Sequence, residues 1–158
     1  MFQKKTLIRL LVIVILVPLL GLIGLSLMSK RPANLGVNEG QLAPCPTSPN
    51  CVSSQSNDSE HGMTPIKYQG DTASNIQNIK SVMQARPRTN LITERDNYLH
   101  FEATSKILRF VDDIEFYIDE ENQLIQFRSA SRVGRSDMGV NRKRMNEIQQ
   151  ALNENKNS

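Results

Sequence analysis

The sequence predicts an α+β domain: an antiparallel sheet of about five strands with two helices on one face, preceded by a single N-terminal transmembrane helix. Three observations predict it. Leu10 to Met28 is a run of 19 residues without a charge. Apolar residues recur at helical spacing in two segments, about 71–85 and 138–152. Between these segments lie four shorter runs in which apolar and polar residues alternate, as in half-buried strands.

The apolar run is long enough to cross about 30 Å of hydrocarbon at roughly 1.5 Å per residue. Pro18, Gly21 and Gly24 interrupt it, which lipid-embedded helices tolerate. A cleavable signal is the competing reading, because Lys4, Lys5 and Arg9 form a basic leader and Gly24-Leu25-Ser26 is a passable cleavage site. Lys30-Arg31 directly after the run favours a retained anchor over residues 1–31. No cysteine stands near the end of the run for a lipoprotein anchor. The balance of flanking cations puts the N-terminus in the cytoplasm and the C-terminal domain in the periplasm or an equivalent extracytoplasmic space.

The whole chain carries a formal charge of +3. Five of its 19 cations (Lys4, Lys5, Arg9, Lys30, Arg31) belong to the anchor, whereas all 16 acids follow it, so the remaining 14 cations leave −2. A nucleic-acid partner is therefore not expected. Within the domain the charge is uneven. Nine acids lie between Glu94 and Glu121, and six cations lie between Arg128 and Arg144 with Asp137 as the only acid among them.

Cys45 and Cys51 bracket Pro-Thr-Ser-Pro-Asn. Outside the cytoplasm such a pair forms a small-loop disulfide; by loop-closure entropy it contributes about 2–2.5 kcal/mol, less any strain. With His61 the pair still lacks a fourth metal ligand at usable spacing, so no metal or cofactor is expected.

Pro32 to Gln41 reads as a tether, and Val52 to Met63 as a polar surface loop. The folded domain is expected over residues 42–153, with a disordered tail at 154–158. Pro65 to Tyr68 is a short strand. Asp71 opens a helix that runs to about Ala85 and carries Ile76, Ile79, Val82 and Met83 on one face, with Pro87 beyond its end. Leu91–Arg95 and Tyr98–Ala103 form a hairpin about Asp96-Asn97. Leu108–Asp119 returns through a turn at Glu121-Asn122 into Leu124–Arg132, and the last helix spans about Met138–Leu152. For Ile114, Phe116 and Ile118 to share a face with Ile125 and Phe127, Phe116 must oppose Phe127 and Glu115 must oppose Arg128. Asp113 is then diagonal to Arg128 and Arg132, in pairs expected to be exposed and worth about 0–1 kcal/mol each.

Three stretches carry a resemblance: Cys-Pro-x-Ser-Pro-Asn-Cys-Val-Ser-Ser at 45–54, Phe-Val-Asp-Asp-Ile-Glu-Phe at 110–116, and Arg-Ser-Ala-Ser-Arg-Val-Gly-x-Ser-Asp-x-Gly-Val-Asn-Arg-x-Arg at 128–144. Together they resemble the bacterial and plastid family called domain of unknown function fourteen-ninety-nine. The resemblance covers nearly all of Leu42 to Leu152. It implies a domain with these limits in an envelope or membrane setting, and it brings no established activity.

The densest chemistry is at 128–144. Arg128, Arg132, Arg135 and Arg142 surround the expected start of the last helix, where Ser136 or Asp137 would cap it. Gly134 and Gly139 allow close backbone approach, and Asn141 lies in the first turn. Arginines at a helix N-terminus suit carboxylate or phosphate, so these eight residues form a candidate anion site. The competing reading makes Ser136 and Asp137 simple caps, pairs Arg128 and Arg132 with Asp113 and Glu115, and leaves Arg142 to Arg144 as a solvated helix face. The partner envisaged is an anionic lipid headgroup, cell-wall polymer or acidic protein segment.

An enzymatic alternative is a small hydrolase using Asp112 or Asp113 with His100. Adjacent strand residues face opposite sides, so the two aspartates cannot share a pocket without a bulge. Asp112 has inward parity opposite Ser131 and needs a partner such as Ser131 or Arg109. Ser129, Ser131 and Ser136 are poor nucleophile candidates, because His61 and His100 are the only imidazoles.

Overall fold

The computed structural model describes residues 2–68 and 70–155. In chain order the elements are α1 (Phe2–Met28), β1 (Val37–Asn38), β2 (Gln41–Leu42), β3 (Cys51–Ser53), β4 (Ile66–Lys67), α2 (Thr72–Gln84), β5 (Thr89–Arg95), β6 (Tyr98–Thr104), β7 (Val111–Asp119), β8 (Leu124–Ser131) and α3 (Val140–Asn155). The fold is α+β. Within α1, Leu7–Ser26 is long and apolar enough to cross a membrane. Of the tail expected at 154–158, Glu154 and Asn155 close α3, and the rest lies outside the described residues.

Six strands form the main antiparallel sheet in the order β3-β8-β7-β6-β5, with β4 also pairing β8. The two short strands pair with different parts of the same neighbour: β3 runs along Arg128–Ala130, and β4 along Leu124–Ile125. Sequence reasoning expects one of them and takes Val52 to Met63 for a loop. Three residues give too little alternation to read as a strand, yet Cys51, Val52 and Ser53 are all buried. His61 is buried too: its ring contacts the Asp58 carboxylate at 2.8 Å and the Ser48 carbonyl at 3.2 Å. Only glycine fits at position 62, because a Cβ would stand 2.5 Å from the Asp58 carbonyl oxygen.

Register follows from burial. Phe116 pairs with Phe127, Glu115 with Arg128 and Asp112 with Ser131, and the β7–β8 connection is Glu120 to Gln123. Leu99, Phe101, Ile114, Phe116, Ile118, Ile125 and Phe127 fill one face, against Ile76, Ile79 and Met83 of α2 and Met145, Ile148 and Leu152 of α3. Phe101 and Phe116 meet edge to face with centroids 6.1 Å apart. Asp71 caps α2 by accepting from the Ser74 amide at 2.8 Å.

The opposite face of the sheet departs from expectation. Glu115, Asp113, His100 and Arg128 are 0%, 1%, 2% and 6% exposed, so the cross-strand pairs are buried. Residues expected to form a tether lie across them as a strap. Arg31 reaches Glu102, the Gly36 amide donates to Glu115 Oε1 at 2.9 Å, and Val37 to Leu42 fold into the β1–β2 hairpin. The physical reason is hydrogen bonding: a face rich in carboxylates supplies acceptors for a backbone that has little apolar surface of its own.

Candidate functional site

The strap covers a row of polar and charged groups built from three strands. Outward parity on β6 presents Tyr98, His100 and Glu102; on β7 it presents Asp113 and Glu115, and on β8 Arg128, with Arg132 just beyond its end. Arg132 donates from Nε to Asp113 Oδ2 at 2.9 Å and from Nη2 to Asp113 Oδ1 at 2.7 Å, and it also reaches Glu102. His100 Nε2 lies 2.8 Å from Asp113 Oδ1. Arg31 closes the row with two donations to Glu102 Oε1 at 2.7 and 2.8 Å. One row up, Glu115 accepts from the Tyr98 hydroxyl at 2.8 Å and from Arg128 Nη1 at 3.2 Å; the Arg128 Nε stays buried without an acceptor among the described residues.

Electrostatics follow from this arrangement. Burial pushes the Asp113 carboxyl up, but the Arg132 guanidinium and His100 outweigh it and hold it below the usual carboxylate range. Burial raises Glu102 likewise, and Arg132 and Arg31 bring it below its ordinary value. Arg132 is pushed up, chiefly by its bond to Asp113. Tyr98 is pushed up by burial and by Glu115 beside it. His100, Glu102 and Asp113 offer three donor atoms within 4.8 Å of one another, a set that could hold a metal ion. Arg132 donates to both of those carboxylates, so the cation between them is the guanidinium.

A groove of about 360 Å³ opens between the strap and the β5–β6 hairpin, walled by Arg31, Leu35, Thr93, Arg95, Tyr98 and His100 among others. Asp112 lies on the other face of the sheet. Its partner is Arg144 at 2.5 Å, not Ser131 or Arg109. Asp112 and Asp113 therefore belong to separate networks, and only Asp113 meets His100. Ser129 donates to Asn141 Oδ1 at 2.6 Å and accepts from Arg144 at 3.2 Å.

The eight residues selected at 128–144 divide. Arg128 and Arg132 are spent on Glu115, Asp113 and Glu102. Arg142 donates to the backbone carbonyls of Gly62 and Glu60 at 3.1 and 2.7 Å. Asn141 is fully buried and ties α3 to the sheet through the Asn50 carbonyl and the Ser131 hydroxyl, each at 3.0 Å. Asp137 accepts from the Gly139 and Asn141 amides at 3.0 and 2.7 Å, so its own carboxylate takes the backbone donors that an anion would use. Ser136 accepts from the Met138 amide at 3.3 Å, and the Gly134 carbonyl accepts from Asn50 Nδ2 at 2.7 Å. Arg135 is exposed, with no side-chain partner among the described residues. Sequence reasoning missed Arg31, Asn50, Tyr98, Glu102 and Arg144. For Arg144 a signal existed, since it lies three residues after Asn141 and precedes the buried Met145.

The cysteines are joined: Cys45 and Cys51 form a disulfide whose Cα atoms stand 5.6 Å apart. A family model described as "Protein of unknown function (DUF1499)" matches residues 41–152. The chain belongs to this family. No curated protein and no solved structure matches it. The matched span includes both sheet faces and the disulfide. The strap from Arg31 to Gly40 and the apolar helix lie outside it.

Proposed function

We propose that this member of the family is a membrane-anchored accessory domain that faces the periplasm or an equivalent space and binds an anionic partner. The apolar helix followed by Lys30-Arg31 supports the anchor, and the Cys45–Cys51 disulfide favours an oxidising compartment. One observation carries the binding reading. While most arginines of 128–144 are committed inside the protein, Arg135 stands exposed beside the end of β8, and Lys106 and Arg109 stand exposed in the β6–β7 loop. Thr104 pairs with Val111, and Asp112 with Ser131, so both loops leave the same end of the sheet. These three exposed cations thus stand at one end of the sheet, although the domain as a whole is slightly acidic.

The hydrolase reading finds a contact between His100 and Asp113, but Arg132 donates to both oxygens of Asp113 under the strap. A binding role needs no such group to be released. The test uses the full chain in neutral detergent on an anionic matrix such as heparin. Wild type should elute at clearly higher salt than a Lys106→Glu, Arg109→Glu, Arg135→Glu variant of equal melting temperature. Equal elution of the two would overturn the proposal.

A further inference from the structure

We infer that the anionic partner of the basic end is the bilayer that holds α1, gripped by two apolar loop tips; this rests on the membrane-anchored binding reading above and names its partner. Two independent observations converge on it. The first is the direction of the strap. Arg31 sits at Glu102, which pairs with Asp113, and by Gly36 the chain has moved to Glu115, two residues further along β7. The strap therefore comes from the end of the sheet where Thr104, Val111 and Ser131 lie. Between Met28, the last residue of α1, and Arg31 there are three residue steps, which span at most about 11 Å. Thr104 is two residues past Glu102, about 7 Å at strand spacing. The basic end is the one turned toward the membrane exit.

The second observation is the composition of that end. Ile107 is 74% exposed and Met138 96%, with Val140 at 48%. Cations lie close to each tip in sequence: Lys106 and Arg109 about Ile107, and Arg135 three residues before Met138, with the intervening Asp137 turned to the Gly139 and Asn141 amides. Apolar tips rimmed by lysine and arginine are the chemistry of an interfacial contact, with side chains entering the headgroup boundary and cations meeting lipid phosphates. A soluble anionic polymer would recognise the charge and gain nothing from the exposed Ile107 and Met138.

The experiment places the full chain in lipid nanodiscs. With Cys45 and Cys51 paired, a single introduced cysteine is the only thiol to accept a spin label. Labels at Ile107→Cys and Met138→Cys are compared with one at Glu121→Cys, in the β7–β8 connection at the opposite end, in nanodiscs of phosphatidylcholine with or without phosphatidylglycerol. In discs with phosphatidylglycerol, the first two labels should be protected at least threefold from a water-soluble relaxation agent relative to the third, and this protection should fall in high salt. Each surface cation is worth roughly a fivefold change in membrane affinity, so Lys106→Glu, Arg109→Glu, Arg135→Glu should abolish the protection. Equal accessibility at 107, 138 and 121 would overturn the inference, as would equal protection with and without phosphatidylglycerol. Retention on heparin combined with unprotected labels would leave the anionic-partner proposal standing and exclude the bilayer as that partner.

Discussion

Removing the Asp113 carboxylate would leave Arg132 and His100 in a buried site without the acceptor that both of them use. Breaking a buried charge network from one side costs about 3–5 kcal/mol. Asp113→Ala should therefore lower the unfolding free energy by that amount in urea denaturation, with the slope unchanged. Acid should act on the same groups. Asp113 and Glu102 are held below their ordinary values in the folded state, so the unfolded chain binds more protons as pH falls. Their contribution is complete above the unfolded carboxyl pKa of about 4 and disappears as pH drops through the lower folded values. The melting temperature should be flat between neutral pH and about pH 5 and decline below about pH 4, and Glu102→Gln should shallow that decline. The sequence made the pairing of Glu115 with Arg128 legible, because register follows from alternation alone. It left the burial of that pair illegible. Whether the polar face of a sheet meets water depends on what lies across it, and alternation says nothing of that.

Among the elements, the strap differs most between expectation and structure. Pro32 to Gln41 has the composition of a linker, with few apolar residues to announce packing, and it is held by polar contacts at Arg31 and Gly36 instead. Gly36 donates its amide to Glu115 from a backbone with φ 118°, a conformation that a Cβ would strain. Gly36→Ala should cost about 1–3 kcal/mol. By hydrogen exchange it should loosen residues 31–42 while amides of β6 to β8 stay protected; uniform loosening would mean that the strap is no separate unit. The helices and long strands were readable because each presents several apolar residues at a fixed period. Cys51–Ser53 was not, being shorter than two periods of alternation. The α3 start was half readable: Asp137 as a cap follows from residue type, whereas the inward turn of Asn141 and Arg144 follows from contacts with Asn50 and Asp112 far away in sequence.

At the scale of the whole molecule, charge is sorted by position. Acids and arginines from the middle of the chain neutralise one another beneath the strap and between α3 and the sheet. Lys106, Arg109 and Arg135 are left at one end with Ile107 and Met138. The net charge conceals this end, since residues 1–31 supply the excess of cations and residues 32–158 alone are slightly negative. Photo-crosslinking in the native membrane identifies the partner of this end. A benzophenone amino acid in place of Ser136 in the full chain stands next to Arg135 and reports what the basic end touches. A light-dependent adduct with an anionic molecule is expected, lost in the Lys106→Glu, Arg109→Glu, Arg135→Glu background. No adduct at this position, or one indifferent to the charge reversal, would contradict it.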